Sequence, residues 1–130
     1  MISKVKYELE FPILSSPQLL YQYLSTASGL SEWFAENVIF RGDIFTFQWD
    51  DSEEKAKLAT QKTGERIKLR WLDENDEETD YFVEFKILVD ELTKDVSLVV
   101  TDFAEPNDIE SAKQLWHNQI NELKHVIGSA

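Results

Sequence analysis

The sequence predicts an α+β domain: a curved antiparallel sheet of about six or seven strands wrapped around a long C-terminal helix, with two short helices after the first strand. Two observations predict it. From Val38 to Phe103, apolar and polar side chains alternate in short runs separated by turn residues, the period of strands joined as hairpins. Beyond Asn107 the period changes to a helical one and holds to Gly128. An amphipathic sheet and an amphipathic helix each have one face to bury, and each is the other's largest available partner.

The elements follow in order. Val5, Tyr7, Leu9 and Phe11 alternate with Lys4, Lys6, Glu8 and Glu10, a strand with one dry face. Pro12 comes too late to disturb it. Ser16 before Pro17 reads as an N-cap with proline at the first helical position. Leu19, Leu20, Tyr23 and Leu24 carry that helix from about Pro17 to Leu24. Thr26 to Ala35 reads as a second short helix, with Leu30, Trp33 and Phe34 at helical spacing and Gly29 weakening it. Strands then run over Val38–Arg41, Phe45–Trp49, Lys55–Lys62, Arg66–Trp71, Tyr81–Val89 and Val96–Phe103. Gly42-Asp43, Asp50 to Glu53, Thr63-Gly64, the acidic loop Asp73 to Asp80, and Asp90 to Asp95 separate them. Asn107 or Asp108 caps the final helix, whose stripe is Ala112, Leu115, Trp116, Gln119, Ile120, Leu123 and Ile127, and Gly128 ends it.

Composition excludes several classes. There is no Cys, which removes disulfides and thiolate metal sites and fits a reducing compartment. The 13 basic and 25 acidic side chains leave a net charge of −12, which disfavours nucleic acid and anionic membrane. No run approaches the roughly 18 apolar residues of a membrane span. The segment Met1 to Glu10 does not read as a signal peptide. The expected location is the cytoplasm.

The order of strand, two short helices, six strands and long helix resembles the START-like, helix-grip group, also called SRPBCC, whose best-known members are the birch-pollen-type plant allergens. The resemblance runs over nearly the whole chain. It is carried by the opening strand with Pro12, the Ser16-Pro17 helix start, the GLSEWFA segment around Trp33, FTFQW at Phe45 to Trp49, IKLRW at Ile67 to Trp71, and LWHNQINELKHVIG at Leu115 to Gly128. Within the group the chain is similar to small bacterial proteins related to the C-terminal domain of the Hsp-ninety ATPase activator, and to a START-like subgroup of uncharacterised proteins from the Bacteroidetes. The resemblance implies one START-like domain over 1–130, and an apolar cavity between sheet and long helix. The superfamily includes lipid carriers, hormone receptors, polyketide cyclases and chaperone regulators, so fold narrows function poorly.

The candidate site is the set of large side chains that would line such a cavity: Trp33, Phe34, Phe47, Trp49, Leu58, Leu69, Trp71, Phe85, Trp116 and Ile120. Aromatic and apolar walls suit a small hydrophobic ligand. The same spacing is what plain core packing shows, and inward tryptophans would leave little volume. His117 and His125 fall off the apolar stripe and lack metal-ligand spacing. The acidic run from Asp73 to Asp80 lacks the glycine turn and closing glutamate of an EF-hand and reads as a solvated hairpin tip. Glu84 falls on the outer face with Lys86; Asp102, in phase with Val96, Leu98 and Val100, points inward near its strand's end and is expected to bond a loop backbone.

No phosphate loop, nucleophile elbow or Cys/His pair is present, so neither cofactor nor metal is expected and nothing compels an enzyme. Three functions remain open: binding a small hydrophobic molecule, acting as a protein-interaction or chaperone co-regulator domain through an acidic surface, or catalysing a cyclase- or hydrolase-like reaction on a hydrophobic substrate. The outer face, with Arg66, Lys68, Arg70 and Lys86 among Phe82 and Leu88, suits either a monomer's surface or a homodimer contact.

Overall fold

The alternating runs become seven strands in a computed structural model that describes residues 3–128. Met1, Ile2, and with them the outer limits of the expected 1–130 unit, lie outside the described residues. The strands are β1 (Val5–Ile13), β2 (Asn37–Arg41), β3 (Ile44–Trp49), β4 (Ser52–Lys62), β5 (Arg66–Leu72), β6 (Glu78–Val89) and β7 (Val96–Ala104). They form one antiparallel sheet in the order β1-β7-β6-β5-β4-β3-β2. Strands β2 to β7 are a meander, and β1 closes against β7 with Tyr7 opposite Asp102. Pro12 sits inside β1, opposite Ser97. The strand tolerates it because β1 is a sheet edge, where a missing N–H need not break the ladder.

Between β1 and β2 the chain must cross from one edge of the sheet to the other. Helices α1 (Pro17–Ser25) and α2 (Ala27–Leu30) make that crossing. Ser16 caps α1 as its sequence predicts, its hydroxyl accepting from the Leu19 N–H at 3.1 Å. Thr26 does the same for α2 through Gly29, at 2.9 Å. Gly29 is a contact residue: a Cβ there would lie 2.3 Å from the Gln22 carbonyl and 2.7 Å from the Tyr23 Cα. Only a residue without a side chain lets α2 fold back so tightly on α1.

The second helix is shorter than its periodicity predicts. It stops at Leu30, and the chain turns through Ser31–Phe34. The N–H groups of Phe34 and Ala35 both reach the Leu30 carbonyl, at 2.8 and 3.3 Å. This turn buries the adjacent residues Trp33 and Phe34 together, which a continuing helix would set about 100° apart.

A short 3₁₀ turn (Pro106–Asp108) leads into α3 (Ile109–Ile127). Asp108 is the N-cap, without a side-chain capping bond. Gly128 closes the helix in the left-handed region at φ 82°, as glycine at that position commonly does. Trp116, Ile120 and Leu123 are buried beneath α3. Leu115, expected on the same stripe, is instead 57% exposed; it lies about 100° around the helix from Trp116, so the buried stripe is narrower than the sequence suggests. The acidic loop is also shorter than expected, because β6 begins at Glu78. Irregular register between Leu58 and Thr60, and between Arg70 and Leu72, marks two bulges in the middle strands. Bulges increase local twist and bend, which helps the sheet curve.

Candidate functional site

The inward phase of each strand delivers one row of large side chains to the space between sheet and α3. Phe47, Leu69, Phe85 and Ile120 are fully buried; Trp33, Phe34 and Trp116 nearly so. Trp49, Leu58 and Trp71 are half-buried and pack against the same core. All ten candidate residues therefore belong to one apolar body.

Phe34 is its centre. Its ring lies 5.0 Å from Phe47, 5.5 Å from Trp33, 5.9 Å from Trp49 and 6.3 Å from Phe85, all edge-to-face, and stacks on Trp116 at 5.9 Å. Phe47 reaches Trp71 at 5.8 Å, and Phe85 reaches both Trp33 and Trp116. These are the separations at which aromatic pairs attract. Trp116 and Trp71 thus face one shared interior, linked ring to ring through Phe34 and Phe47.

The indole N–H groups show why the chain breaks where it does. Because α2 stops early, the Phe34 carbonyl leaves the helical ladder. It accepts from Trp49 Nε1 at 3.2 Å and from Gln119 Nε2 at 3.4 Å. One backbone oxygen so joins the turn after α2, strand β3 and helix α3. Trp33 Nε1 donates to the Tyr23 carbonyl at 2.8 Å.

One polar cluster sits at the edge of the rings. Asp102 Oδ2 accepts from Trp116 Nε1 at 3.0 Å and from the Tyr7 hydroxyl at 3.4 Å. Asp102 does point inward, but its partners include two side chains from β1 and α3, where the expectation was a loop backbone. The reason is register: Tyr7 stands directly opposite on β1, and the helix lays Trp116 above both. Burial pushes the Asp102 carboxyl above the usual aspartate range, against the lowering effect of the Phe103 N–H, Trp116, Tyr7 and Lys4. Burial, with the nearby Asp102 charge, also raises the Tyr7 phenol. Tyr7 is the functional candidate that sequence reasoning missed. Its signal was its place on the dry face of β1, in phase with Phe11.

The other polar candidates stay outside. Glu84 is opposite Lys68 on the outer face. His125 is exposed; His117 is also exposed and meets only the edge of Phe11, at 5.1 Å. Asp73 uses Oδ1 to accept from the Asn75 and Glu77 N–H groups, at 2.8 and 3.0 Å, which makes the acidic tip a self-bonded turn. Among the described residues no group of three acidic or histidine side chains could hold a metal ion. Among the described residues, clefts of about 370 to 410 Å³ open on the outside of the molecule, and none of these is lined by the ten candidate residues.

A family model for a START-like superfamily domain matches residues 1–129. The chain belongs to the START-like superfamily. A Bacteroides fragilis protein solved by solution NMR is 32% identical, over 98% of this chain and 93% of that one, with a TM-score of 0.66. The solution structure of an Aha1 dimer from Colwellia psychrerythraea matches at 18% identity and TM-score 0.75, covering 92% and 93% of the two chains. CalU16 from Micromonospora echinospora matches at 12% identity and TM-score 0.70, covering 95% and 74%. The latter two likenesses concern the START-like fold alone. A comparison with curated proteins found no match. No helix among the described residues is long and apolar enough to cross a membrane.

Proposed function

We propose that this START-like chain, acting as one domain over 1–130, binds a small hydrophobic molecule among the rings between its sheet and α3. The observation that carries the reading is the continuous aromatic layer centred on Phe34, bordered by the Asp102 carboxyl with its Trp116 and Tyr7 donors. Pockets for apolar ligands combine such walls with few polar groups that set orientation. Trp49, Leu58 and Trp71 keep partial exposure and form the mouth. Because the rings are already in mutual contact, a ligand enters by parting them. No cofactor takes part, and the protein works in the cytoplasm as a monomer or homodimer.

Native mass spectrometry of freshly purified protein tests the reading, together with melting and tryptophan emission in the presence of palmitate or anilinonaphthalene sulfonate. The expected result is a co-purified small molecule or a raised melting temperature with altered emission. Absence of all three rejects it. The enzymatic alternative has one observation of its own, the inward Asp102 with a raised pKa. It gains over binding if Asp102→Asn protein co-purifies with a chemically different, unconverted molecule.

A further inference from the structure

The outer face of the middle strands carries a charge opposite to that of the molecule. Directly opposed residues in an antiparallel sheet share a face, so the register itself maps this surface. Lys57 opposes Arg70 and Lys62 opposes Arg66 across β4 and β5, while Arg66 opposes Lys86 and Lys68 opposes Glu84 across β5 and β6. Six of the chain's 13 basic residues therefore stand together, with Glu84 among them and Glu78 and Glu65 at their margins. Lys57 and Arg70 reach Glu78 at 3.6 and 4.0 Å, and Lys62 reaches Glu65 at 3.1 Å. Among the described residues Arg66, Lys68 and Lys86 have no ion pair. The Lys68 ammonium rests over the Phe82 ring at 4.4 Å, which holds it on this face. Folding thus gathers like charges at close quarters with incomplete neutralisation, an arrangement that costs stability unless something else supplies the negative charge.

We infer that this face docks a short, extended acidic segment of another protein. Three features select that occupant. Alternate residues on β5 stand about 6.7 Å apart, the spacing of carboxylates at every second residue of an extended chain. The block is small, about 10 Å across three strands and 13 Å along β5. It is also fenced: beyond it the same rows continue to Glu8 and Glu10 on β1, and Lys57 meets Asp43 on the other side. A nucleic acid strand making the roughly six to ten phosphate contacts of counterion-driven binding would overrun onto those acids. A twofold dimer through this face would set cations against cations, so the homodimer contact suggested by the exposed Leu88 does not fit here. The net charge of −12 opposes an acidic partner only at long range, since screening confines it to about 8 Å at physiological salt. Within that distance the local cations prevail.

The test is fluorescence anisotropy of a labelled peptide with glutamate at alternate positions, at about 50 mM and about 300 mM salt, with NMR shift mapping on the intact chain. Binding that weakens severalfold with salt, shifts the amides around Arg66, Lys68, Arg70 and Lys86, and falls at least tenfold in the triple variant Arg66→Glu, Lys68→Glu, Lys86→Glu supports the inference. Arg66 and Lys86 are exposed and Lys68 is half-buried, and a cooperative melting transition verifies that the variant folds. Three results overturn it: no binding at low salt, an unchanged affinity in the triple variant, or a thymidine oligonucleotide of equal charge binding as tightly as the peptide. Self-association that the triple variant abolishes would also overturn it, by making a second copy the occupant.

Discussion

The inner and outer faces of the sheet are made by the same strands, one residue apart, and they are stabilised by different physics. On β5 the inward residues are Ile67, Leu69 and Trp71, and the outward ones Arg66, Lys68 and Arg70. Inside, each ring touches several others, so removing one leaves a hole that its neighbours cannot close. Outside, the cations meet solvent and share few counter-charges, so removing one changes the local field and little else. The inner face holds the fold; the outer face is free to be shaped by a partner.

That contrast can be broken or sharpened by substitution. The largest effect is expected from Phe34→Ala, which deletes the ring joining five others. It should cost about 3–5 kcal/mol in urea unfolding, and a loss below about 1 kcal/mol would show that the rings do not act as one body. Trp116→Phe keeps a ring but removes the Nε1 donor. It leaves the buried Asp102 carboxyl short of one partner and should cost about 1–3 kcal/mol by the same measurement.

Asp102 also predicts a pH dependence. Its folded pKa is raised, so the folded chain keeps a proton that the unfolded chain has released. Its contribution therefore falls as pH rises from the ordinary aspartate range through the raised value, and the loss is complete above it. Asp90 runs the other way. The Thr93 and Leu92 N–H groups lower its pKa, so its contribution is present at higher pH and lost as pH falls below the ordinary range. The difference between wild type and Asp102→Asn isolates the first effect: unfolding profiles should converge at low pH and the wild type should lose ground as pH rises. Parallel profiles would contradict it. The smallest effect is expected from Lys68→Ala, within about 0.5 kcal/mol; a larger loss would mean that the Lys68–Phe82 contact supports the core.

Much of this was legible from periodicity. The two-residue period placed every strand, and the Ser16-Pro17 pair and Gly128 placed two helix ends. That the ten candidate residues belong to the core or pack against it was legible because large apolar residues in a dry phase are a direct signal of burial. What failed did so where side-chain hydrogen bonds outweigh local preference. Leu30, Trp33 and Phe34 have helical spacing, yet the chain unwinds there because the turn buries both rings and gives the Phe34 carbonyl to Trp49 and Gln119. Asp102 was read as inward, but not as bonded to Tyr7 and Trp116, since the three are brought together by strand closure and helix docking.

The sequence by itself determined which residues face inward and which outward, because that alternation is a property of the extended backbone and needs no partner. Only the tertiary structure decided what the two faces amount to. It packed inward rings from distant segments into one layer around Phe34, and it aligned three strands so that cations scattered through an acidic chain became a single patch. Both depend on register between strands, which is set by cross-strand pairing and by the bulges at Leu58 and Arg70, not by any one strand's own pattern.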